Sequence, residues 1–127
     1  IELQATRLAA LRRNDADIDA MESVIIEMER NIAMGKDVYD ASMKFHTAVI
    51  SASHNSVLMQ INDCLADLLT YSRRQSLKNP ARHETALDYH KRILHNIKQK
   101  DADQAVAIMA EHLLHAKNAI IAMTEAK

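Results

Sequence analysis

Glycine and proline each occur once in 127 residues, as Gly35 and Pro80. Hairpins and tight turns draw heavily on both, so a many-stranded sheet is a poor fit. There is no tryptophan and only one phenylalanine, and no run of β-branched residues alternates with polar ones. The single cysteine, Cys64, cannot form an internal disulfide. It sits in an apolar helical stripe and suits a reducing, cytoplasmic setting. No apolar run approaches the roughly 20 residues that span a bilayer, and no signal-peptide pattern opens the chain. Neither sign of charge dominates, with 16 basic and 17 acidic residues. The densest basic run, Arg73 and Arg74 through Lys78 to Arg82, is short. A nucleic-acid module carries a broader basic surface, so these residues alone are not expected to grip DNA.

Alanine, leucine, methionine, glutamate, lysine, arginine and glutamine dominate instead, and they lose little side-chain entropy in a helix. Period and punctuation place six helices, an all-α antiparallel bundle of about six to seven. The first runs from Ile1 to about Arg13. No capping residue precedes Leu3, Leu8 and Leu11, so the chain is expected to be a fragment of a longer protein. The second, capped at Asn14 or Asp15, carries Ile18, Met21, Ile25, Met28 and Ile32 and stops at Gly35. Asp37 caps a third with Tyr39, Met43, His46 and Val49-Ile50 in its stripe. Asn55 caps the fourth and most apolar, with Val57-Leu58, Ile61, Cys64-Leu65 and Leu68-Leu69. It frays from Arg73 and ends before Pro80. The fifth spans about Arg82 to Lys98, with Ala86, His90, Ile93 and Ile97 on one face. Asp101 with Gln104 opens the sixth, which carries Ala105, Ile108-Met109, His112, Ala116, Ile120 and Met123. Short connections imply antiparallel neighbours, and residues 1–127 read as one domain.

Seven histidines are many for this length. His95 shares a face with Asp88, Lys91 and Lys98, and His115 with Glu111 and Asn118; both should face solvent. His54 and His83 fall at helix junctions. His46, His90 and His112 differ, because each stands in an apolar stripe where leucine or isoleucine is expected, on three separate helices. A buried imidazole without partners costs on the order of 1–3 kcal/mol. Two readings stay open on pattern alone. The three rings share one metal or anion site, or each is a core histidine bonded to a carbonyl. Imidazole is a common ligand for zinc, nickel and similar ions. Ser42, one turn before His46, faces the same way. Tyr71 and Arg74 lie where they could join a pocket rim; a solvated helix end is the simpler expectation for Arg74. The methionine stripes are expected to be core filler.

Lys44-Phe45-His46, followed by Ala52-Ser53-His54-Asn55, resembles the signature of the FadR C-terminal (FCD) effector-binding domain of GntR-type transcription regulators. His90 within Tyr89-His90-Lys91-Arg92-Ile93-Leu94 is similar to that family's second histidine. Asp101, Ala105 and Met109-Ala110-Glu111-His112-Leu113 resemble the segment carrying the third, and Leu8-Ala9-Ala10 fits its first helix. The resemblance covers nearly the whole chain. It implies a helical effector domain that follows an N-terminal winged-helix DNA-binding domain absent from this chain. It further implies a homodimer that senses a small organic acid. Many members hold a divalent ion with one aspartate and three histidines, and the effector carboxylate completes the coordination. Here Ser42 stands at the aspartate position. Asp40, six residues before His46, lies about 240° around the helix and cannot take over.

The expectation is therefore a ligand-sensing and dimerisation domain of a transcription regulator rather than an enzyme. It binds a carboxylate effector, with Ser42 and Tyr71 as effector contacts and His46, His90 and His112 around a zinc or nickel ion. An alternative is a small helical metalloenzyme using the same histidines, although the paired carboxylates of a di-iron bundle are missing and no general base is evident. A third reading is a pure dimerisation module with structural histidines.

Overall fold

A computed structural model describes the backbone of residues 1–125. It contains six α-helices: α1 (Glu2–Arg12), α2 (Asp15–Ala33), α3 (Tyr39–Ala52), α4 (Ser56–Ser76), α5 (His83–Lys98) and α6 (Ala102–Glu125). A single 3₁₀ turn, Pro80–Arg82, leads into α5. Among the described residues there is no strand, and no helix is long and apolar enough to cross a membrane. The all-α expectation holds.

The punctuation acts as its chemistry requires. Asn14 and Asp17 form a reciprocal capping box at the start of α2. The Asn55 side chain accepts from the amides of Val57 and Leu58, and Asp101 accepts from the amide of Gln104. Asp37 accepts from the Tyr39 amide at 2.9 Å. Gly35 adopts φ +68°, and the amides of Gly35 and Lys36 reach back to Ile32 and Asn31. That is the left-handed helix stop for which glycine is favoured. Two arginines at the end of α1, Arg12 and Arg13, tie distant helix ends. Arg13 donates to the carbonyls of Ile97 and Lys98 at the end of α5, and Arg12 donates to that of Ser53 after α3. Cations there also complement the helix dipoles.

Helices α2 and α3, α3 and α4, and α5 and α6 are neighbours joined by residues 34–38, 53–55 and 99–101. Each pair therefore folds back on itself. Helix α1 lies against α3, α5 and α6. Apart from Glu2, its buried face consists of small residues, Ala5, Thr6, Ala9 and Ala10, which lets the neighbouring backbones approach. Met21, Met28, Phe45, Val49, Ile93, Ile97 and Met109 fill the interior. Phe45, which the stripe of α3 did not single out, is wholly enclosed.

Helix α4 departs from expectation. It is the most apolar helix by sequence, yet Val57, Ile61, Cys64 and Leu68 are exposed, Leu68 to 76%. Only the adjacent stripe of Leu58, Leu65 and Leu69 is half-buried. The helix carries two apolar stripes, and the bundle has room against α3 and α6 for one. Nor does it fray at Arg73; it continues to Ser76, whose hydroxyl bonds the Arg73 carbonyl at 2.9 Å.

Candidate functional site

The three stripe histidines come together. His46 from α3, His90 from α5 and His112 from α6 are all buried. One ligand atom from each lies within 4.8 Å of the others. Ring centroids are 5.3 Å apart for His46 and His90, 5.4 Å for His46 and His112, and 5.1 Å for His90 and His112. The register follows from the helices themselves. His90 lies one turn from Ala86 and from Ile93, and His112 one turn from Met109, so burying the stripes turns the rings inward.

The hydrogen-bonding state is incomplete in an informative way. Both nitrogens of His90, 0% exposed, and Nδ1 of His112 have no partner. His90 instead stacks on Phe45 at 4.3 Å between centroids. Burial, with His46 and His112 as neighbours, holds the His90 pKa well below 6.5. Burial again, then His46, Arg82 and His115, pushes His112 down to about 3. Neutral imidazoles with free lone pairs are what a metal ion binds. His46 Nε2 and His112 Nε2 stand 3.4 Å apart; two nitrogen ligands at about 2.0–2.1 Å on a tetrahedral ion would be about 3.3 Å apart. The residues present fit a divalent ion.

A carboxylate enters from an unexpected direction. Glu2, buried on α1, places Oε2 at 3.1 Å from His46 Nδ1 and Oε1 at 3.4 Å from an Arg73 guanidinium nitrogen. Burial raises the Glu2 pKa, but the charge and hydrogen bond of His46 and the charge of Arg73 outweigh it, leaving a net lowering. A carboxylate accepting from Nδ1–H fixes the tautomer that leaves Nε2 bare. The sequence held a signal for Glu2, because it lies on the same face as Ala5, Thr6 and Ala9, a lone charge in a buried stripe.

Beside the histidines is a cavity of about 70 Å³ whose lining includes Glu2, Ser42, His46, Arg73, Arg82 and His112. Ser42 is buried there. Tyr71 needs correcting: it is 71% exposed and does not line the cavity, because it belongs to the outward stripe of α4. Arg73, two residues on, faces inward in its place. Arg74 lies over the Tyr39 ring at 4.0 Å, away from the cavity. His95 is exposed, as its face predicts. His115 is only half-exposed, with Nδ1 2.9 Å from Arg82. Nothing in the sequence marked Arg82; the 3₁₀ turn Pro80–Arg82, capped by Asn79, carries it inward.

Comparison with known proteins places this geometry in context. The FCD domain family matches residues 1–115. The HTH-type transcriptional regulator YdhC of Bacillus subtilis is 25% identical over 118 residues, 91% of this chain and 53% of its own length. The HTH-type transcriptional regulator LutR of the same organism is 26% identical over 125 residues, 94% of this chain and 57% of its own. The galactonate operon transcriptional repressor of Escherichia coli K12 is 28% identical over 106 residues, 83% of this chain and 46% of its own. The chain thus spans about half the length of the curated relatives it matches.

Proposed function

The chain belongs to the FCD domain family, and from that premise we propose that it is the effector-sensing and dimerisation domain of a GntR-family transcription regulator, not an enzyme. Its ligand is a small carboxylate metabolite, taken up at a divalent ion, zinc or nickel, held by His46, His90 and His112. The observation that carries the reading is three buried imidazoles facing one another, with both nitrogens of His90 and Nδ1 of His112 unpartnered. Leaving them so costs on the order of 1–3 kcal/mol for each unsatisfied group, which a bound ion would offset. The ion would act as a Lewis acid toward the effector carboxylate. Ser42 supplies a hydroxyl where the resemblance expects an anionic ligand. Glu2 keeps a negative charge next to His46 but is bonded to its far nitrogen.

The cavity favours binding over catalysis. Glu2 is the one carboxylate among its described lining residues, and His46 and Arg73 already engage it, so the paired, free carboxylates of a di-iron bundle are not among them. Regulation needs only that the effector favour one of two helix packings. In this proposal a winged-helix domain preceding residue 1 contacts DNA, in keeping with relatives about twice as long, and the protein works in the cytoplasm as a homodimer.

The test is elemental analysis of the purified chain, with thermal denaturation after chelation and after adding back zinc or nickel. The expected result is close to one ion per chain and a higher melting temperature on reloading. A chain free of metal, and indifferent to both ions, would overturn the metal-assisted reading.

A further inference from the structure

Arg82 is 8% exposed, and among the described residues it faces no carboxylate. One guanidinium nitrogen donates to the Ser76 carbonyl and another lies against His115 Nδ1. Its Nε has no partner. Burial draws its pKa down from the usual arginine range, yet a guanidinium stays protonated near neutral pH. A buried cation with neutral partners only is a costly arrangement. Arg73, in the same cavity wall, is already matched by Glu2. The cavity therefore carries one uncompensated positive charge before any ion is added, close enough to His112 to disfavour its protonation.

We propose that Arg82 is the anion anchor of this cavity, pairing with a second acidic group of the effector, so that the effector class is a small dianionic organic acid. The inference rests on the effector-site reading above and deepens it. One carboxylate lies toward the histidines and the other meets Arg82. Guanidinium suits that task, because its planar donors match a carboxylate and its charge is permanent. Offsetting a buried, otherwise unmatched charge is also a strong source of discrimination, since a ligand lacking the second acid leaves Arg82 as it is.

Malonate and acetate serve as probes, titrated calorimetrically into the zinc-loaded chain. The wild-type chain is expected to bind malonate at least tenfold more tightly than acetate. Arg82→Gln should remove most of that preference while zinc and acetate affinities stay within about threefold. Arg82→Lys, which keeps the charge, should hold an intermediate preference and covers the case in which Arg82→Gln does not fold. Equal affinity for the two acids in the wild type, or a preference that survives Arg82→Gln or is unchanged in Arg82→Lys, overturns the proposal. Should zinc itself not bind, the metal reading fails separately. The same comparison on the metal-free chain then decides Arg82, by whether malonate raises the melting temperature more than acetate and only when Arg82 is present.

Discussion

His90 has no exposed surface and no hydrogen bond, and its ring stacks on Phe45. For the metal-free fold it is a liability held in the middle of the core. Leucine, of similar volume, would remove two unsatisfied nitrogens and keep apolar packing against Phe45. We predict that His90→Leu stabilises the chelator-treated chain by about 1–3 kcal/mol and abolishes its stabilisation by zinc or nickel. Chemical denaturation with and without metal reads both effects; a less stable metal-free variant would contradict the account. Glu2 acts on the same site through His46. Glu2→Gln is predicted to weaken metal affinity about 10–100-fold, measured by competition with a chelator of known affinity, and an unchanged affinity would reduce Glu2 to a structural role.

Among the helices, α4 is the one whose apolar surface exceeds what the bundle covers. Val57, Ile61, Cys64, Leu68 and Tyr71 recur at intervals of four and three along its outer face, and all are exposed. That spacing is the seam one helix offers to another, and a second copy of the chain would cover it in the proposed homodimer. Leu68→Glu, at a site already 76% exposed, should leave monomer stability within about 0.5 kcal/mol. It should also shift the chain from dimer to monomer in sedimentation. A wild-type chain that sediments as a monomer at micromolar concentration would remove this use of the seam.

At the scale of the whole molecule, the buried histidines link stability to pH. Folded His90 and His112 hold their protons less readily than an ordinary histidine near 6.5, so the unfolded chain takes up protons first as pH falls. Stability is full above about 6.5 and is lost progressively toward about 3, where folded His112 itself titrates, by up to about 1.4 kcal/mol per pH unit for each histidine. Glu2, lowered from 4.5, adds to the loss once pH falls below that value. Melting of the metal-free chain should therefore move to lower temperature between pH 7 and 4.5, with a shallower slope in His112→Asn. A flat profile would mean that these rings are not buried neutral.

Much of this molecule was legible residue by residue. Helix existence, the stop at Gly35, the caps at Asn14, Asn55 and Asp101, and the three stripe histidines all follow from local chemistry, since period and capping depend on neighbours within a few positions. The resemblance carried by those same histidine motifs pointed to the family. What the chain could not declare locally was which of two apolar stripes on α4 turns inward, because either would bury comparable surface and only the space left by α3 and α6 decides. The same holds for Glu2, Arg73 and Arg82. Glu2 stood out only as a lone charge in a stripe of small residues and Arg73 and Arg82 not at all, and the three form one charged cavity only when α1, α4 and the Pro80–Arg82 turn are packed around the histidines. Long-range placement of charge is set by tertiary packing, and here it decides what sits beside a histidine cluster the sequence had already marked.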